Sequence, residues 1–353
     1  MPISPGWPMA EVQAIVRELP RQPYVWHGDS WQHCLGLSRE NRLPHALLLS
    51  GPAGIGKAAF ATALGQWMLC EQRQRADMAC GQCKSCQLLK AGSHPDLLWL
   101  EPETDAKTEK TSKVIKVDQV RALVEFAAKS SQMGGYRVVI VRPAHVLNVQ
   151  AANALLKTLE EPGRDTLFLL LTDRPLDLLP TIRSRCQQLA LPMPEVGTAR
   201  AWLAPLAGSA DAADLLLRLT RGAPLAARDL LDHGWFSERE ALAKDLLGVV
   251  EGRATALACS GRWQRLGGEP FLQALASLLE DVSYVGMGQG SAVKSQDLLP
   301  IIQRIAAHAS PMGVLRFLQS LAEKQRLLGA NIQPQAIVDS VWLDWADPRQ
   351  RVA

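Results

Sequence analysis

Short apolar runs separated by helical patterns mark the first half of the chain. Leu47-Leu48-Leu49 enters a glycine-rich turn, and Asp96 to Leu100, Val138 to Val141, Leu167 to Leu171 and Cys186 to Leu191 follow in order. Continuous runs without polar alternation predict strands covered on both faces, as in a parallel sheet. Between them the pattern predicts a buried helix at Ala58 to Cys70 and an amphipathic one at Gln150 to Glu161, the second stopped by Pro162-Gly163. A third, capped by Asp118, is predicted to reach about Gln132 and stop at Gly134-Gly135. Strands alternating with helices after a glycine-rich turn predict an α/β domain.

Leu191-Pro192-Met193-Pro194 ends that pattern, and no further strand is predicted. Three short helices are expected near Glu195 to Leu203, Asp211 to Thr220 and Pro224 to Asp232, then a break at His233-Gly234. Ser237-Glu238-Arg239-Glu240 has the spacing of a capping box and is read as opening an all-helical region that runs to about Trp345, interrupted by the loop from Gly286 to Gly290. Trp263, Trp342 and Trp345 in that region are expected in its core. The resulting partition is an N-terminal extension at 1–22, an α/β domain at 23–192, a small helical domain at 193–235 and a helical domain at 236–353. The extension holds a short amphipathic stretch, Met9 to Leu19, attached to no motif.

A length of 353 residues suits two or three domains, and 47% hydrophobic with 21% charged residues is an ordinary globular balance. The net charge of +3 permits contact with nucleic acid without arguing for it. No signal pattern or membrane-length apolar run is present, so the cytoplasm is expected and no membrane partner.

The turn after the first strand carries Gly51, Gly54, Gly56 and Lys57, most of a phosphate-binding loop. Such a loop curls backbone N–H groups around phosphate, reaches the outer phosphates with Lys, and holds Mg²⁺ with a Ser or Thr hydroxyl. Here the hydroxyl position is Ala58. A hydrolytic site also needs acidic residues after a buried strand, whereas Val138 to Val141 is followed by Arg142-Pro143. A cation opposes the metal and proline cannot act as a base. The backbone cradle still allows weak ATP binding without turnover.

Cys70, Cys80, Cys83 and Cys86 form a second candidate site. Two C-x-x-C steps with a fourth thiol reaching back can wrap a tetrahedral Zn²⁺, and a closed four-sulfur site is structural rather than catalytic. A redox dithiol or free cysteines are the alternatives. Arg73, Arg75, Lys84 and Lys90 lie nearby in sequence to offset the thiolate charge.

The Asn153 to Pro162 run, N-A-L-L-K-T-L-E-E-P, says only helix and stop on its own, and Arg185 within Ser184-Arg185-Cys186 reads as a surface or salt-bridged arginine. Together with the loop remnant and the cysteine cluster, these motifs resemble the bacterial clamp-loader AAA+ subunits of the DNA polymerase III holoenzyme. The resemblance spans about residues 24 to 345. It implies an AAA+ P-loop domain with an inserted zinc module, a helical lid and a helical collar that assembles a hetero-pentamer. Within the family, loss of the hydroxyl and of the acidic pair implies the non-hydrolysing stator, partnered by gamma/tau and delta subunits and acting on the sliding clamp and primed DNA through the complex. A gamma/tau-like ATPase is the alternative, and a zinc-dependent DNA-binding module a third reading. No independent catalysis is expected, and any polymerase activity belongs to the holoenzyme. By the same resemblance Arg185 is an arginine finger delivered in trans to a neighbour's ATP, Thr172 occupies a sensor position, and Leu225 stands where a second sensor arginine is expected.

Overall fold

A computed structural model describes residues 22–104, 112, 114–232, 235–328 and 333–349. The amphipathic stretch Met9 to Leu19 and the His233-Gly234 break lie outside the described residues. The chain divides into two compact units, 1–198 and 199–353.

The first unit is built on five parallel strands, β1 (Ala46–Ser50), β2 (Leu97–Leu100), β3 (Arg137–Val141), β4 (Thr166–Thr172) and β5 (Gln187–Ala190), in the order β2-β3-β4-β1-β5. Residues on β1, β3 and β4 are almost all buried, which explains their unbroken apolar sequence. Edge strand β5 is mostly exposed and carries Gln187 and Gln188 instead. Alternate residues serve opposite cores. Leu47, Leu49, Ile140 and Leu169 meet Phe60, Leu64 and Trp67 on one face. Leu48, Val139, Val141, Phe168 and Leu170 meet Leu123, Leu155 and Leu159 on the other.

Helix α1 (Gly28–Arg39) precedes β1 and buries Trp31, Cys34 and Leu35. It ends in the polar residues Ser38 and Arg39, and the apolar pattern does not mark it. Helix α2 (Lys57–Leu69) follows the glycine loop and is buried from Ala59 onward, as its small apolar residues predict. Next come α3 (Lys84–Ala91), α4 (Val117–Ala128) and α5 (Val149–Glu160), then a single turn, α6 (Pro180–Arg183). Asn148 caps α5 by accepting the Ala151 N–H at 2.8 Å.

Two boundaries of α4 differ from expectation. Asp118 is not its cap: the helix already starts at Val117, and Gln119 Oε1 takes the Lys116 N–H at 3.0 Å. Nor does the helix reach Gln132. Buried Asp96 draws the next segment away by accepting from Ser131 Oγ and from the N–H groups of Gln132 and Met133, all at 2.9 Å. Those bonds are worth more to the chain than another turn of helix, because a buried carboxylate must be satisfied.

The second unit is helical. Its described residues contain no strand, and α7 (Val196–Ala207) crosses into it from the first unit. Residues of α7, α8 (Ala210–Leu219) and α9 (Pro224–Asp232) share one small core around Leu203, Leu216 and Ala227. The larger core collects α10 (Trp235–Val250), α11 (Ala256–Trp263), α12 (Gly268–Gly286), α13 (Leu299–Ala306), α14 (Pro311–Leu327) and α15 (Pro334–Ala346). Trp263, Trp342 and Trp345 are buried in it, Trp263 donating to Asp245 at 2.8 Å and Trp345 to the Leu246 carbonyl at 3.1 Å. Ser237 falls within the first turn of α10 rather than ahead of it, so it does not open that helix as its cap.

Asp96 is paired with equally buried Arg137 at 3.4 Å, and Arg137 also donates to the Phe126 carbonyl and lies 4.4 Å from the Phe126 ring centre. Asp96→Ala should destabilise the chain by about 3–5 kcal/mol, because it strands a buried guanidinium. Urea unfolding of the purified variant measures this.

Candidate functional site

β1 and β4 are neighbours whose onward connections run to opposite edges of the sheet, so their carboxyl ends flank a crevice of the kind that receives ligands in parallel sheets. The glycine loop fills the β1 end. Gly51 has φ +154°, and a Cβ there would lie 2.5 Å from the Leu191 carbonyl oxygen. Gly56, at φ 98°, is the left-handed residue from which α2 starts. Ile55 is buried beneath the loop, and its carbonyl accepts from Trp26 Nε1 at 2.9 Å. Trp26 in turn stacks on Tyr24 with 4.7 Å between ring centres. An aromatic segment ahead of β1 is thereby fastened to the loop, a contact that spacing of 29 residues hides in the sequence.

Lys57 is turned onto its own loop. Its Nζ donates to the carbonyls of Gly51 at 2.8 Å and Pro52 at 2.7 Å. Burial pushes its pKa down to about 8; Asp173 opposes that shift and Arg142 adds to it. Buried His27, edge-on to Phe60, is pushed down to about 4 by burial and then by Lys57. Ala58, the next residue, offers no hydroxyl.

At the β4 end, Thr172 Oγ1 lies 3.1 Å from His145 Nδ1, which is also 3.3 Å from Asp173 Oδ1. Burial lowers the His145 pKa. Beyond β3, Arg142 is 3.5 Å from Glu101, and Pro143 follows it through a cis peptide bond. The positions after β3 thus present a cation and a ring, with no carboxylate of their own. Arg185 belongs to a different place: its partners are Glu160, Thr181 and Ser184, none of them in the loop. Leu225 lies in the first turn of α9, within the second unit.

The cysteines do converge. The sulfurs of Cys70, Cys80, Cys83 and Cys86 all lie within 4.8 Å of one another, with Cys70 to Cys83 at 4.0 Å and Cys80 to Cys86 at 3.9 Å. The four could hold a metal ion. Backbone N–H groups point at the sulfurs, from Gln72 and Cys80 to Cys70 and from Gln82 and Cys83 to Cys80. The two donors on Cys80 hold its thiol down at about 6, whereas burial raises Cys70 and Cys86. Helix α3, which the apolar pattern does not mark, is capped by Cys83, whose sulfur accepts the Cys86 N–H at 3.4 Å. Ser85 fastens this module to the end of α2 and to the turn before β2: its hydroxyl donates to the Leu69 carbonyl at 2.6 Å and lies 2.8 Å from His94 Nε2. The Asp96 N–H donates to His94 Nδ1 at 3.1 Å, so Nε2 carries the proton.

A parallel sheet with a glycine loop and lysine at its first strand defines a P-loop α/β protein, here with the metal-holding hydroxyl and acidic residues replaced. A family model described as "DNA polymerase III, delta subunit" matches residues 28–195, and one described as "DNA polymerase III, delta subunit, C terminal" matches residues 233–345. The chain is 37% identical over 333 residues to the Pseudomonas aeruginosa protein named DNA polymerase III subunit delta', covering 92% of this chain and 97% of that one. It is 36% identical over 296 residues to the Escherichia coli protein of the same name, covering 82% and 84%. A solved structure from Thermotoga maritima, a DNA polymerase III gamma subunit-related protein, aligns over 90% of this chain and all of that one at 20% identity and a TM-score of 0.45. The chain belongs to the family of DNA polymerase III delta' subunits. No helix among the described residues is long and apolar enough to cross a membrane.

Because Lys57 is held below its unfolded value of 10.5, the unfolded chain binds more protons between about pH 8 and that value. Stability therefore rises with pH across this window and loses the contribution as pH falls through about 8. Competitive acetylation should give Lys57 a midpoint near pH 8, and Lys57→Met should flatten the stability curve across the same window.

Proposed function

We propose that the chain is the stator of a clamp loader, a subunit that does not turn over ATP at its own loop but completes the site of a neighbour. The observation that carries this reading is the state of its crevice: Ala58 in place of the hydroxyl, Arg142-Pro143 in place of acidic residues, and Lys57 bonded to loop carbonyls. Phosphoryl transfer needs Mg²⁺ held by the hydroxyl and the acidic residues that these positions lack. Membership of the delta' family supports the place in the assembly. In this reading residues 193–235 form a lid and 236–353 a collar that joins gamma/tau and delta subunits in a hetero-pentamer. The complex acts in the cytoplasm, opening the sliding clamp and placing it on primed DNA.

Arg185 is the residue that acts outside the chain. It follows α6 at the surface and supplies positive charge in trans to the γ-phosphate of ATP held by gamma/tau. The four cysteines hold a structural Zn²⁺. Tetrahedral zinc at about 2.3 Å from each sulfur places sulfurs about 3.8 Å apart, close to the separations of Cys70 from Cys83 and Cys80 from Cys86. The metal would hold α2, α3 and the polar turn between them in one arrangement.

In the reconstituted complex, Arg185→Ala in this subunit alone should lower clamp- and DNA-stimulated ATP turnover at the affected site by about 10³- to 10⁵-fold, leaving assembly intact. An unchanged rate at every site would remove the finger from the account. For the metal, protein purified without chelator should contain one zinc per chain, and Cys83→Ser with Cys86→Ser should lose it; a content far below one would contradict the assignment.

A further inference from the structure

Arg185 does not stand free at the surface. Its Nε donates to Glu160 Oε1 at 2.6 Å, its Nη2 bonds the same oxygen, and its Nη1 donates to the Thr181 carbonyl at 2.9 Å. The chain beneath it is anchored on both sides, since Ile182 and Cys186 are buried in the core that also takes Leu155 and Leu159 of α5. Glu160 is the last residue of that helix. A carboxylate at a helix C-terminus faces the negative end of the macrodipole and is disfavoured there unless a cation compensates. The arrangement therefore places a residue against its local preference, and Arg185 is the group that offsets it.

The geometry of the bond has a consequence for the guanidinium. Glu160 occupies the edge formed by Nε and Nη2, while Thr181 takes an N–H of Nη1. A guanidinium carries five N–H donors; these three bonds and a longer one of 3.5 Å from Nη1 to Ser184 Oγ leave the outer N–H of Nη2 for another acceptor. The Arg185 side chain is 30% exposed, so the group is reachable while its orientation is fixed from one side. An unrestrained arginine would have to lose its rotamer freedom on meeting a phosphate; this one has already lost it.

We propose that Glu160 is the positioning residue of Arg185, holding one edge of the guanidinium so that the outer N–H of Nη2 meets an ATP phosphate on a neighbouring subunit. The inference rests on Arg185 acting in trans. Glu160 itself touches no nucleotide. Its role is to accept hydrogen bonds, and its negative charge works against the charge that Arg185 delivers. A neutral side chain with the same acceptor oxygen should therefore serve, whereas a side chain without one should not.

The test compares Glu160→Ala, Glu160→Gln and Arg185→Ala in the reconstituted clamp loader, with assembly checked by size-exclusion chromatography and stimulated turnover measured over a range of ATP concentrations. Glu160→Ala should lower kcat on the order of 10- to 100-fold at the affected site, the cost of a misplaced catalytic group, with KM for ATP little changed. Glu160→Gln should stay close to the wild-type kcat. If Arg185→Ala lowers turnover but Glu160→Ala does not, Glu160 is not a positioning residue and the trans role of Arg185 stands. If Glu160→Gln falls as far as Glu160→Ala, the hydrogen-bond argument is overturned. If Arg185→Ala has no effect, both the trans role and this inference fall.

Discussion

A sheet whose strands are all parallel has no face to give to water, and that constraint organises the first unit of this protein. Both faces of β1, β3 and β4 must be covered, so their residues divide between the core around Phe60 and Trp67 and the core around Leu123 and Leu155. Because the strands run parallel, their carboxyl ends lie together at one edge of the layer, with the glycine loop after β1 beside Thr172 at the end of β4. The same packing seats Ile182 and Cys186 against α5, and so fixes the backbone from which Arg185 projects. The crevice and the arginine are separate products of one layered core.

Within the crevice the parts that bind phosphate and the parts that hold metal have come apart. The turn retains its left-handed glycines, and Gly51 still cannot carry a side chain against the Leu191 carbonyl. Lys57, however, spends its donors on Gly51 and Pro52, and burial weakens its hold on a proton. Trp26 closes on the loop from the other side. The loop thus serves as a packed corner between β1 and α2, a role that needs its backbone but not Mg²⁺.

The buried strands were legible in the sequence because burial on both faces leaves an apolar run, as in Leu47-Leu48-Leu49 and Leu167 to Leu171. Helix α1 was not, since only Trp31, Cys34 and Leu35 face the core among polar neighbours. The end of α4 was misplaced for a different reason: Asp96, more than 30 residues earlier in the chain, takes the donors that another helical turn would have used. The cysteine cluster could be found from spacing, because its ligands are nearly contiguous and their sulfurs do meet. The Glu160 contact of Arg185 could not, because 25 residues and a strand separate the partners. Local chemistry leaves a pattern in sequence; contacts made by the tertiary fold leave none.

The central claim is that this chain has given up turnover at its own loop. ATP hydrolysis by the purified full chain, in the presence of Mg²⁺ and primed DNA, tests it most directly. The account predicts a rate at background that Lys57→Ala does not change. Turnover above background that Lys57→Ala abolishes would contradict it, and would make the chain a motor with an unrecognised way of holding its metal.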